Sequence, residues 1–285
     1  MPHKLLAATL LSLVGGSALA ADERIAVYDL GSLDTLDSLA LETHVVAVPK
    51  QSLPDYLKHF EANAYVDIGG LRSPDLDALA AVEPSLIVMT GRQNDWREAF
   101  ERMADIHDAG LSGDTYLAGV EANVRRLAER LNAGERAEAA LRELHDALEA
   151  ARTSLSATAE VLVVTHNGGN LALNAHPVVH EVLGLAQPSL PEGVTSETRG
   201  ERTFTPLSPE AIAQMSPEVV FVIDRSAAIG DEPVKLETLR QSLEEAGGAD
   251  IRLAMLTPEL WYLSGGGLES LRLQVEEVVA ALASE

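Results

Sequence analysis

The sequence predicts an α/β fold: two Rossmann-like lobes with central sheets, joined by one long α-helix, with a ligand cleft between the lobes. Three observations carry this expectation. β-Branched runs alternate with helix-patterned segments in both halves of the chain. A proline-free stretch from Ser85 to His176 holds a long amphipathic pattern at its centre. A unit of helix, proline turn, strand and arginine occurs twice.

Taken in order, Met1 to Ala20 show a basic start at Lys4, an apolar run from Leu5 to Val14 and an Ala18-Leu19-Ala20 end. That is the pattern of a cleavable signal peptide over 1–20. A membrane anchor is the competing reading, for which the run is short, because a bilayer needs roughly 20 apolar residues. With no cysteine in the chain, a lipid anchor after the leader is not expected. A first lobe is expected over 21–132, with strands at Arg24 to Tyr28, His44 to Val48, Tyr65 to Ile68 and Leu86 to Met89 and a helix at Asp75 to Val82. Leu117, Val120, Val124, Leu127 and Leu131 recur at steps of three and four, as do Ala137, Leu141, Leu144, Leu148, Ala151 and Leu155 after an Asn132-Ala133-Gly134 break. These are two helices, the second forming the connector within 133–157. A second lobe over 158–285 follows, with strands at Glu160 to Thr165, Val219 to Ile223 and Leu253 to Leu256 and a closing helix at Ser270 to Leu282.

The chain has 285 residues, no cysteine, and 44 Asp+Glu against 21 Lys+Arg, a formal charge of −23. Disulfide scaffolds and zinc-thiolate sites are excluded, and nucleic acid is disfavoured as a partner, since phosphate binding needs clustered bases.

The repeated unit runs Asp77, Pro84, the strand Leu86 to Met89 and Arg92 in the first half; Glu210, Pro217, the strand Val219 to Ile223 and Arg225 follow the same course in the second. In both copies proline follows the acid by 7 residues and arginine by 15. Ligands of open parallel sheets bind outside the carboxyl ends of strands. Both arginines therefore point to a shared cleft, with the acids on a rim away from its floor. Coincidence between two ordinary helix and strand pairs is the alternative.

The segments Tyr28-Asp-Leu-Gly-Ser-Leu-Asp-Thr-Leu-Asp37, His44-Val-Val-Ala-Val-Pro-Lys50, Leu53-Pro-Asp-Tyr-Leu57, Ser73-Pro-Asp-Leu-Asp77, Thr90-Gly-Arg-Gln93, Phe221-Val-Ile-Asp-Arg225 and Trp261-Tyr-Leu-Ser-Gly-Gly-Gly267 resemble, in order, the periplasmic binding proteins of iron-siderophore uptake whose lobes are joined by one long helix. The similarity is greatest to the branch that handles catecholate siderophores. It implies a monomeric, non-enzymatic periplasmic carrier without a tightly bound cofactor, which passes a ferric siderophore to ABC permease subunits in the inner membrane. Arg92 and Arg225 match pocket arginines that neutralise the anionic chelate. Tyr262 matches a tyrosine that in some members completes iron coordination, although Trp261 and Tyr262 also read as strand aromatics beside a glycine turn. Asp77 and Glu210 match acids that dock on the permease, and they also read as ordinary helix-start carboxylates.

Two positions depart from the pattern. Thr198-Arg199-Gly200 stands where those members have Thr-His-Gly, and Ala175 stands near an expected third arginine. Arg199 is a candidate replacement for that charge, and His176 a candidate wall residue or merely a helix-start residue. A hexadentate chelate needing no protein ligand is then favoured. A haem or cobalamin carrier on the same scaffold stays open. A divalent-metal carrier is weakened by scattered histidines, and an enzyme by the absence of G-x-S-x-G, H-E-x-x-H, P-loop and G-x-G-x-x-G patterns.

Overall fold

A computed structural model describes residues 23–156, 159–200 and 202–283, and the side chains of Arg199 and Arg202 fall outside that description. The leader expected over 1–20 lies outside the described residues. In chain order the first half contains β1 (Ile25–Val27), α1 (Leu30–Ser38), β2 (Val45–Val48), β3 (Val66–Asp67), β4 (Gly69–Gly70), β5 (Ser73–Pro74), α2 (Leu76–Ala81), β6 (Leu86–Met89), α3 (Arg97–Glu101) and β7 (Asp105–Asp108). Five of these strands form a parallel sheet in the order β3-β2-β1-β6-β7, while β4 and β5 make a separate small hairpin. The order of the parallel strands reverses between β1 and β6, which opens a crevice at their carboxyl ends.

Two helices, α4 (Tyr116–Arg130) and α5 (Gly134–Ser154), carry the chain to the second sheet. The 21 residues of α5 extend about 31 Å at 1.5 Å per residue. Its buried residues Ala137, Leu141, Leu144 and Leu148 form the apolar stripe visible in the sequence. The second half contains β8 (Val161–Asn167), β9 (Asn170–Leu173), a π-helical turn at Val178–Val182, β10 (Glu197–Arg199), β11 (Arg202–Phe204), α6 (Pro209–Met215), β12 (Val219–Asp224), α7 (Arg225–Ala228), α8 (Leu236–Glu245), β13 (Arg252–Leu256), α9 (Pro258–Tyr262) and α10 (Leu268–Ala283). Its sheet runs β13-β12-β8-β9, with β9 the antiparallel edge.

Alternation on the central strands builds separate cores on the two faces of each sheet. Val219, Phe221 and Ile223 of β12 join one cluster with Val161 and Val163, while Val220 and Val222 join another with Leu162 and Val164. Likewise Leu86 and Val88 face one core, and Ile87 and Met89 face the other. The largest cluster takes residues from both sheets and from α1, α4, α5 and α10, so one helical layer packs against both halves.

One local expectation is corrected. Trp261 and Tyr262 do not lie on a strand but end the short helix α9, which Pro258 opens at a first-turn position. Proline supplies the helical φ there and needs no backbone donor.

Candidate functional site

A cavity of about 590 Å³ opens between the two halves. Gln51, Ser52, Leu53, residues 70–73 and Arg92 line it from one side; Arg225, residues 227–230, Glu259, Tyr262 and Leu263 line it from the other. The volume falls within the range of small-molecule sites.

Each guanidinium is held at its base by the turn that follows a strand. After β6, Thr90 caps the next turn, accepting from the Arg92 N–H at 3.3 Å, while the Thr90 N–H donates to Gln93 Oε1 at 3.0 Å. Arg92 then donates through Nη1 to the Leu263 carbonyl at 2.8 Å and through Nη2 to the Tyr262 carbonyl at 2.6 Å. These bonds tie the first half to α9. Burial pushes the Arg92 pKa down, and the neighbouring Asp29 carboxylate opposes that shift.

Arg225 begins α7 directly after β12. Asp224 caps that helix through the Ala227 N–H at 3.2 Å and pairs with His166 Nδ1 at 2.8 Å. His166 Nε2 accepts from the Gly169 N–H at 3.0 Å, so the ring is held by contacts at both nitrogens within the turn that the His166-Asn-Gly-Gly169 run forms between β8 and β9. Arg225 donates through Nε to the Tyr262 hydroxyl at 2.7 Å and through Nη1 to Asn167 Oδ1 at 2.6 Å. The Tyr262 ring therefore has two guanidinium carbons near it, Arg92 at 6.0 Å and Arg225 at 5.4 Å from its centroid.

A third guanidinium in the cavity is Arg72, which the sequence reading missed. It follows the β4 half of the small hairpin, and buried Gln93 anchors that segment by donating to the Leu71 carbonyl at 2.5 Å. Arg72 is exposed, and its charge bears on Arg92. Among the described residues no acceptor holds it. The Gly69-Gly70 pair beside it was the local sign of a tight turn at the site.

Two expected wall residues sit elsewhere. Trp261 is only 5% exposed, donates from Nε1 to Glu277 of α10 at 2.6 Å, and does not line the cavity. His176 meets the Trp261 ring edge-on at 4.8 Å, and burial pushes its pKa down to about 4. The reason is the helix: Glu259 and Tyr262, three apart, share the cavity face of α9, and Leu260 and Trp261 turn into the core. Arg199 lies on β10 with its side chain outside the description. Asp77 and Glu210 are exposed, each at the second position of its helix, outside the cavity lining.

Behind Tyr262 the two halves are joined by a buried carboxylate. Asp34 of α1 accepts from the Glu269 N–H at 3.1 Å and the Ser270 N–H at 3.0 Å, capping α10. The Tyr56 hydroxyl lies 3.4 Å from the same carboxylate and 2.5 Å from Ser264 Oγ. Burial pushes the Asp34 pKa up to about 7, against the pull of the Ser270 and Glu269 hydrogen bonds. Unfolded, it titrates near ~3.9. Between those values the folded chain holds a proton that the unfolded chain has lost, so this group's stabilisation is complete below about pH 4 and is lost as pH rises through about 7. Asp34→Asn removes this titration. Urea melts at pH 5 and pH 8 are expected to move the stability difference in the variant's favour by about 3 kcal/mol at the higher pH, at about 1.4 kcal/mol per unit. A difference independent of pH would show that Asp34 is ionised throughout.

Comparisons with known proteins agree with this architecture. A sequence model of the family described as periplasmic binding protein matches residues 25–246. The petrobactin-binding protein YclQ of Bacillus subtilis (strain 168) is 29% identical over 263 residues, covering 90% of this chain and 81% of that protein. The crystal structure of YclQ aligns with a TM-score of 0.81 at 28% identity, covering 92% of this chain and 93% of that one. The iron uptake ABC transporter substrate-binding protein PiuA of Streptococcus pneumoniae aligns with a TM-score of 0.79 at 28% identity, covering 91% and 93%. The chain belongs to the periplasmic binding protein family.

Proposed function

We propose that this protein captures a ferric siderophore of the catecholate type in its cleft and delivers it to the permease subunits of an ABC importer in the inner membrane, acting as a periplasmic monomer and not as an enzyme. The observation that carries this reading is the convergence of Arg72, Arg92 and Arg225 from both halves on one cavity of about 590 Å³ around Tyr262. A ferric catecholate is a compact anion rimmed with hard oxygens, and guanidinium groups donate to such oxygens in a rigid fork. The Arg225 Nε bond to the Tyr262 hydroxyl is the contact that a catecholate oxygen of the ligand would make. The names of the relatives, a petrobactin-binding and a ferric-anguibactin-binding protein, support an iron-chelate cargo.

Tyr262 is a candidate for a direct iron ligand, since a phenolate is a hard oxygen donor. Titrating the protein's tryptophan fluorescence with a ferric catecholate, a ferric hydroxamate, haem and cobalamin tests the cargo. The ferric catecholate is expected to bind most tightly, and tighter haem or cobalamin binding would overturn the reading. In the same complex, Tyr262→Phe is expected to shift the charge-transfer band if the phenol ligates iron. An unchanged band would remove it from the coordination shell.

Asp77 and Glu210, placed alike on α2 and α6, are proposed to dock on basic residues of the permease. One acid from each half lets a partner grip both at once. Asp77→Ala with Glu210→Ala is expected to cut iron uptake by cells at least about tenfold, the equivalent of ~1.4 kcal/mol, with ligand affinity within twofold of wild type. Undiminished uptake would refute the docking role.

A further inference from the structure

Behind Arg225 lies a buried pair that the cleft does not reach. Strands β8 and β12 pair in parallel with His166 opposite Asp224, so the next residues, Asn167 and Arg225, leave the sheet side by side. His166 is 4% and Asp224 1% exposed, whereas Asn167 is exposed and Arg225 half-buried. Two cross-strand contacts are thus stacked at the carboxyl end of the sheet. The inner one joins His166 Nδ1 to Asp224 Oδ1 at 2.8 Å, and the outer one joins Arg225 Nη1 to Asn167 Oδ1 at 2.6 Å. Neither His166 nor Asp224 lines the cleft, and His166 lines a separate cavity of about 760 Å³.

The inner pair holds both ends of the outer contact. The Asp224 carboxylate accepts from the Val234 N–H at 2.6 Å and from the Ala227 N–H at 3.2 Å, so it fixes the helix on which Arg225 stands. Burial alone would raise the Asp224 pKa, but the hydrogen bonds from His166, Val234 and Ala227 outweigh it and hold the carboxyl below its usual value. An ionised carboxylate only accepts, so His166 Nδ1 donates. The other ring nitrogen takes the Gly169 N–H at 3.0 Å, and the Gly168 N–H donates to Ser226 Oγ at 2.9 Å. Gly168 and Gly169 have φ of 56° and 81°, in a turn with no side chains of its own to stiffen it. These two bonds therefore fix the turn that carries Asn167. A buried charged pair adds little net stability. Its effect here falls on the aim of a guanidinium, whose value to an anion depends on a fork already in place.

We propose that His166 is a positioning residue for ligand capture: through Asp224 and the Asn167 turn it holds the Arg225 guanidinium in the orientation that presents its remaining donors to the anionic cargo. This rests on the ferric-chelate reading above and adds to it a residue that does not touch the ligand. Arg225 engages Tyr262 through Nε and Asn167 through Nη1, and these two points set the plane of the fork. Removing the His166 donor leaves the buried Asp224 carboxylate short of a partner and releases the glycine turn, so one of the two points is lost.

The test is a double-mutant cycle between positions 166 and 225. A synthetic ferric bis-catecholate is titrated into the mature protein, with thermal melts to show that each variant folds. His166→Leu is expected to weaken binding about tenfold, the lower end of what outer-layer partners contribute at ordered sites. In the Arg225→Ala background the same substitution is expected to change affinity by less than about twofold, because a residue that acts through Arg225 has nothing left to act on. Asn167→Ala, at an exposed side chain, is expected to weaken binding at least about threefold with Tm unchanged. The Arg225 Nε–H NMR signal, identified by its loss in Arg225→Ala, gives a reading without ligand, and its proton should exchange with water at least about threefold faster in His166→Leu. A loss that persists in full in the Arg225→Ala background would overturn the proposal and make His166 a general structural residue. Unchanged affinity in His166→Leu would overturn it too, and unchanged affinity in Asn167→Ala would do so even where His166→Leu fails to fold. Failure of wild type to bind the chelate would overturn the ferric-chelate reading, and the exchange rate alone would then decide whether His166 fixes Arg225.

Discussion

Replacing Gly267 with alanine is expected to destabilise the protein by at least about 3 kcal/mol, the scale of a core steric clash that backbone must relieve. A Cβ there would fall well inside van der Waals contact with the Gly31 carbonyl oxygen and with both carboxylate oxygens of Asp34. The contact is reciprocal, since a Cβ on Gly31 would strike the Gly265 carbonyl. Helix α1 and the 265–267 loop thus approach backbone to backbone, which only glycine permits. Relief would require the halves to separate locally, pulling Asp34 from the Glu269 and Ser270 amides and disturbing the segment that carries Tyr262. For a chain of this size the expected fall in Tm is roughly 6–12 °C, and chelate affinity should fall with it. Gly134→Ala is the matched control, since a Cβ at Gly134 meets nothing within 4 Å at the start of α5. Thermal melts placing the two variants together would refute the close approach.

That junction also marks where reading the sequence stops. Strand β6 was legible because four buried apolar residues lie between Pro84 and the Thr90-Gly91 turn, and α5 because its leucines repeat at helical spacing. Arg92 and Arg225 were legible because a local repeat places each just past a strand. Asp34 was not, since an acid within a helix reads as solvent-facing until the partner 235 residues away is in place. Strand β7 has one apolar residue in Asp-Ile-His-Asp and is half-exposed, so pairing with β6 rather than its own pattern defines it. The burial of Trp261 follows from α9 being a helix, which aromatic propensity beside three glycines disguised. Glu259 reaches the cavity through the third dimension alone, and Arg72 does so from a hairpin whose local sign was the Gly69-Gly70 pair.

Arg225→Ala is expected to weaken ferric catecholate binding on the order of 100-fold, about 3 kcal/mol, the scale for removing one partner of a charged contact in a desolvated site. A guanidinium has five N–H donors. Two of those on Arg225 are engaged by Tyr262 and Asn167, and the rest remain for ligand oxygens. Arg92 likewise holds the Leu263 and Tyr262 carbonyls with two donors. The two variants should nevertheless differ in stability. Arg92→Ala removes both bonds linking Arg92 to α9 and the cation beside half-buried Asp29, so it should lower Tm as well as affinity. Arg225→Ala frees a tyrosine hydroxyl and an asparagine at the open cleft, where water can replace the donor, and its Tm should stay within a few degrees of wild type. Arg225→Lys keeps the charge and loses the fork, so it should recover less than half of the lost binding free energy. Titrations paired with thermal melts separate these cases. Chelate affinity within threefold of wild type in Arg225→Ala would mean that Arg225 does not hold the cargo and serves instead to fix Tyr262 and Asn167 in the wall of the cleft.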